Sequence, residues 1–215
     1  VRRTRRSSRS QGPARYLSAR AGYFAFFIAL FVVGVGFGAS AVRALGDAHQ
    51  AELVEYLEVY LRGLSAGGRD IPANELWQQA VAANLRTIGL LWASGPVVVG
   101  LLLAPAVIFM RGFVIGFAVG FLSFEFGLRG VLLALLGVFP QNLVAVPAIL
   151  VIGVATTSFS VYVLRRKPHK VSFGAELASY TVIVLAMMVL VVAACTFEAY
   201  VAPVLMRLLA GYGRV

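Results

Sequence analysis

The chain has 215 residues, of which 60% are apolar and 13% charged, and its mean hydropathy is +0.87. A soluble domain carries about a quarter charged residues and cannot bury this much apolar surface, so the composition points to a polytopic membrane protein. The net charge of +10 would suggest nucleic acid in a soluble chain, but here the basic residues cluster at the edges of apolar segments, where they orient the segments and meet anionic lipid. Membrane lipid is therefore an expected partner and nucleic acid is not.

Residues 1–20 carry seven arginines with serines, glycine and proline and no acid, which reads as a basic cytoplasmic tail with nothing to bury. A basic start before an apolar stretch is also the outline of a signal peptide. The next stretch argues against that. Residues 21–42 are free of charge and long enough, at about 1.5 Å per residue, to cross a hydrocarbon core of about 30 Å, so they are the first transmembrane helix.

Residues 43–86 are the main polar excursion and hold six of the nine acids. Leu53, Tyr56, Leu57, Tyr60 and Leu61 recur at helical spacing with Glu52, Glu55 and Glu58 toward the other face, which predicts an amphipathic helical loop. A turn-rich stretch follows, and Asn74 is positioned to cap a second helix. Glu52, Glu55, Tyr56, Glu58, Tyr60 and Trp77 are the candidate contacts for an extracytoplasmic partner, aromatic residues being frequent anchors. The plainer alternative is that both helices only cover the bundle.

Residues 85–110 are expected to cross a second time, bent at Gly95-Pro96 and Pro105, with Arg111 marking a cytoplasmic turn. Gly112, Gly116 and Gly120 then follow at spacing four on one face, a pattern that favours close helix packing. Residues 131–164 would run to about 51 Å as one helix, too long for a single crossing. A break is therefore expected at 139–142, around Pro140, with a half-helix at 131–138 and a spanning helix from about 143 to 164. Glu125 and Arg129, spaced i,i+4, are expected to pair, and with Gln141 and Asn142 they form an intramembrane polar group. That group either closes helix ends near the outer boundary or lines a solute path, and the first reading is preferred.

The basic run at 165–170 reads as a second cytoplasmic turn, 171–200 as the last crossing and 201–215 as an extracytoplasmic tail. The fold expected is an all-α integral membrane bundle of about five transmembrane helices. It divides into the tail 1–20, the first helix 21–42, the loop 43–86, the bundle 87–200 and the tail 201–215. Seven basic residues in the first tail, Arg111 and four in the 165–170 loop face seven on the other side, which puts the amino terminus inside and the carboxyl terminus outside.

Catalytic chemistry is hard to find. His49 and His169 fall on opposite sides of this topology, and no HExxH helix or phosphate-binding loop is present. The lone Cys195 lies in an apolar segment, where packing is its expected role. The chain is expected not to be an enzyme and to need no cofactor or metal.

RGFVIGFAVGFL at 111–122, GLRG at 127–130 and FPQNLVAVPA at 139–148 resemble the stage II sporulation protein M family of endospore-forming bacteria. GVGFGA at 34–39, GLLWASG at 89–95 and RRK at 165–167 extend the resemblance, in the same order, over essentially the whole membrane part. The resemblance implies a non-enzymatic scaffold of the cell membrane that acts in forespore engulfment. It would hold two peptidoglycan-degrading partners, stage II sporulation proteins D and P, at the septal and engulfing membranes. The alternative function is a small transporter or channel component built on the broken 131–164 segment and the Glu125/Arg129 pair. The sequence leaves a homo-oligomer open.

Overall fold

The computed structural model describes residues 21–44, 52–55, 73–137, 139–165 and 173–212. These residues form five long helices and no strand: α1 (Ala21–Ala44), α2 (Ala73–Ser94), α3 (Gly100–Gly137), α4 (Phe139–Leu164) and α5 (Phe173–Tyr212). Four stretches are long and apolar enough to cross a membrane: Ala21–Ala44, Gly100–Leu135, Asn142–Leu164 and Phe173–Phe197. The expected helical membrane bundle is the fold, with four such stretches rather than about five.

Glycine contacts set the direction of the first helix pair. A Cβ at Gly112 would meet Phe31 and Val35, one at Gly116 would meet Val35, and one at Gly120 would meet Ala39. The two numberings rise together, so α1 and α3 run parallel. The contact is reciprocal, because Gly34 of α1 lies against the backbone of Phe109 and Phe113, and Gly38 against that of Phe113 and Phe117. With no side chains between them, the two backbones approach closely and gain dispersion contact where lipid offers no hydrophobic driving force.

α4 is the central element. Its apolar window is 67% buried against 22% for the other three, because every other helix packs on it. Gly153 faces Ile108 and Phe27, while Gly100 faces Thr156 and Ser160, so α4 runs antiparallel to α3. Ile152, Val154, Ile108, Phe27, Ile88, Leu91 and Val191 fill the core between them.

The second crossing departs from expectation. Residues 85–110 are not one bent helix: α2 stops at Ser94 and α3 starts at Gly100. Pro96 supplies no N–H and its ring opposes the Trp92 carbonyl, and Val98 takes φ 66°, so the helix ends instead of bending. Arg111, expected at a cytoplasmic turn, lies within α3, since a single charge does not interrupt a helix whose neighbours supply the packing. The stretch 73–86, expected in the extracytoplasmic loop, is the first part of α2. One face of α2 carries Trp77, Asn84, Ile88 and Leu91 at helical spacing, and this face packs along α5 and α4. Asn74 lies inside the first turn, where its Oδ1 accepts from Gln78 Nε2 at 3.5 Å.

The reversal also moves. Gly127 takes φ 55°, ψ −131° inside α3, and the chain folds there so that Gly130 lies against the Leu122 carbonyl and the Phe126 Cβ. Residues 128–137 are thus the far arm of α3, not a separate half-helix at 131–138. Pro140 sits in the first turn of α4, where a missing N–H costs no helical bond. At the other end, α5 continues without interruption from the crossing to Tyr212.

Candidate functional site within the membrane helices

Two polar constellations lie among the apolar helices. The first is Arg111. Its neighbour Gly112 packs against Phe31 and Val35, halfway along α1, so the Arg111 backbone is about 15 Å from either end of that helix. The side chain is half-buried, and Nη2 donates to Asn142 Oδ1 at 3.5 Å, at the long limit of a hydrogen bond. Asn142 is in the first turn of α4. A cation gains nothing from the positive end of a helix dipole, so the amide oxygen, not the dipole, receives the guanidinium. An ionisable group at this depth is rare and costly unless it has a role.

The second constellation caps the end of α2. Pro96 leaves the Trp92 carbonyl without its i+4 donor, and Tyr180 Oη of α5 donates to it at 3.1 Å and to the Leu91 carbonyl at 3.0 Å. Ser94 Oγ also donates to the Leu91 carbonyl at 2.8 Å, Thr156 Oγ1 lies 3.1 Å from Tyr180 Oη, and Ser160 Oγ donates to the Gly95 carbonyl at 3.0 Å. Hydroxyls from α4 and α5 thus satisfy the carbonyls freed at a helix C-terminus, which inside a membrane would each cost several kcal/mol if left bare. Tyr180 also stacks on Phe159 with ring centroids 4.8 Å apart.

Higher on α2, indole groups repeat the theme. Trp77 Nε1 donates to Thr196 Oγ1 at 2.9 Å and Trp92 Nε1 to Thr181 Oγ1 at 3.1 Å, which makes α2 antiparallel to α5. Between them the buried Asn84 donates to the Ala80 carbonyl at 2.8 Å and reaches Cys195 Sγ at 3.4 Å, while its Oδ1 has no partner among the described residues.

The residues singled out in the sequence separate in space. Glu52 and Glu55 are exposed in a short helical stretch, while Tyr56, Glu58 and Tyr60 lie outside the described residues. Trp77, a candidate partner anchor, is half-buried and donates its indole N–H to Thr196. Gly112, Gly116 and Gly120 face α1, so a partner's helix has no room on that row. Glu125 and Arg129 form no ion pair, because Gly127 breaks the helix between them and removes the i,i+4 geometry. Gln141 lies in the first turn of α4, and Asn142 meets Arg111.

A model of the family described as Stage II sporulation protein M matches residues 27–203. The chain belongs to the stage II sporulation protein M family. No curated protein and no solved structure gives a match. The family match runs from within α1 to within α5, so both polar constellations and both glycine rows fall inside the part shared with stage II sporulation protein M. It follows that the chain is a sporulation membrane protein with several membrane-crossing helices.

Its charge marks Arg111 as a boundary in the sequence, whereas it lies within α3. The signal against that was present: small and apolar residues continue at helical spacing on both sides of it, from Ala104 and Ile108 to Gly112 and Gly116. The hydroxyl cap is barely marked in the sequence. Its only local sign is the Ser-Gly-Pro run at 94–96, which announces freed carbonyls without naming their partners.

Proposed function

We propose that the chain is a non-enzymatic membrane scaffold that anchors peptidoglycan-degrading partners, stage II sporulation proteins D and P, at the septal and engulfing membranes. The family match over 27–203 carries this reading. Both polar constellations fit a structural role, since each is explained by helix-end capping or helix–helix bonding. Enzymes of the wall require an anchor that presents a surface on their side of the membrane. Glu52 and Glu55 are exposed, and on the orientation expected from the basic residues they lie on that side.

Co-purification tests it. The tagged chain is expressed in membranes with both partners and extracted in mild detergent, and at least one partner is expected to stay bound. Loss of both across several detergents contradicts the scaffold. Reversing Glu52, Glu55 and Glu58 to lysine is expected to lower retention while insertion continues; unchanged retention removes these acids from the contact.

A second reading, a small transporter or channel component, is favoured by the depth of Arg111 at the first turn of α4. Positive charge and helix amides there would select an anion. Chloride or phosphate flux into vesicles that falls in Arg111→Gln would support it, and absence of flux in the unaltered chain would end it.

A further inference from the structure

The outward face of α2 carries an exposed arginine, Arg86. Val32 on α1, Leu102 on α3 and Val182 on α5 are 60%, 78% and 63% exposed, as suits contact with acyl chains. α2 also exposes Leu85, Leu90 and Trp92, but in the sector opposite the buried Asn84, Ile88 and Leu91 it sets Arg86 among Gln79, Ala82, Gly89, Leu90 and Ala93.

Arg86 is also deep. Trp77 bonds Thr196 at one end of the apolar window Phe173–Phe197 of α5, and Trp92 bonds Thr181 toward the other. Arg86 lies between them, about 13 Å along α2 from Trp77 and about 9 Å from Trp92. Roughly three and a half turns separate it from Ala73, more than an arginine side chain can span to reach the helix start. No acid pairs with it among the described residues. A guanidinium exposed at this depth is expensive against lipid and calls for a carboxylate. Beside the larger Leu90, the small residues Ala82, Gly89 and Ala93 leave room for a second helix to approach, and a Cβ at Gly89 would meet nothing within 4 Å.

We propose that this face of α2 seats a single membrane-crossing helix of a partner protein that carries an aspartate or glutamate at the depth of Arg86. The proposal rests on the scaffold reading and gives it a surface inside the membrane. Charge selects the occupant: a second copy related by a twofold axis along the membrane normal would bring Arg86 against its own counterpart at equal depth, two like charges in a poor solvent for either. A partner acid turns the same position into an ion pair.

The test places the photocrosslinker p-benzoylphenylalanine at Ala82 or Ala93 of the full chain in its own cell membrane and identifies the adducts by mass spectrometry. The expected adduct is a protein whose one apolar span contains an acid near mid-depth. Its yield falls about tenfold in Arg86→Glu and in Arg86→Leu, persists in Arg86→Lys, and returns in Arg86→Glu when the partner's acid is changed to lysine. Adducts with a second copy, with another part of the same chain or with lipid alone overturn the proposal, as does a partner adduct indifferent to Arg86→Glu. The same membranes are scored for retention of the two wall-degrading partners. If both remain bound to the Arg86→Glu chain and the adduct is undiminished, this face is refuted and the scaffold stands. If neither binds the unaltered chain but the charge exchange restores the adduct, the face stands and the identity of the scaffold's clients falls.

Discussion

Gly127 and Tyr180 decide the two places where the chain changes course. At Gly127 the φ of 55° is one that L side chains adopt at a cost, so Gly127→Ala is expected to destabilise the fold by about 1–2 kcal/mol, read as a lower melting temperature in detergent. Tyr180→Phe keeps the ring stacked on Phe159 but removes the hydroxyl from the Trp92 carbonyl and leaves the Leu91 carbonyl to Ser94 and Thr156, and a loss of about 1–3 kcal/mol is expected in the same assay. Little of this was visible in the sequence. Glu125 and Arg129 have the spacing of a helical pair, yet the glycine between them takes a conformation that the spacing rule assumes away. Arg111 carries the mark of a membrane boundary, yet lies at depth because Gly112 and Gly116 hold its helix against α1.

Helix pairing explains which elements could be read. α1, α4 and α5 follow from uninterrupted apolar stretches, which need no neighbour to be recognised. The α2–α3 boundary does not, because proline bends a membrane helix in one context and ends it in another; here hydroxyls on α4 and α5, distant in sequence, make the ending tolerable. The glycine row was legible as a packing face but not as belonging to α1, since spacing names no partner. Gly116 and Gly36 make a direct comparison. A side chain at Gly116 would strike the Val35 backbone, whereas one at Gly36 would meet nothing within 4 Å. Gly116→Val is therefore expected to cost about 1–3 kcal/mol and to loosen α1 from α3, while Gly36→Val stays within about 0.5 kcal/mol. Equal melting temperatures for the two variants would contradict the parallel α1–α3 contact.

Across the whole molecule, α2 alternates in direction with α1 and α3 and lies lengthwise on α5, although its polar residues keep it below the hydropathy of the other four stretches. This arrangement is testable by labelling. In a Cys195→Ala background, Val97→Cys in the α2–α3 turn is expected to react with an impermeant maleimide from the same face as Pro168→Cys in the basic loop, and Arg111→Cys is expected not to react. Reaction at Arg111→Cys with none at Val97→Cys would restore the boundary that the charge pattern suggests. The most direct test of the scaffold itself is the position of fluorescently tagged wall-degrading partners in sporulating cells that contain or lack this chain. Foci at the septum that disperse on its removal and return with its expression are the result the scaffold predicts; foci that hold their place without it would contradict it.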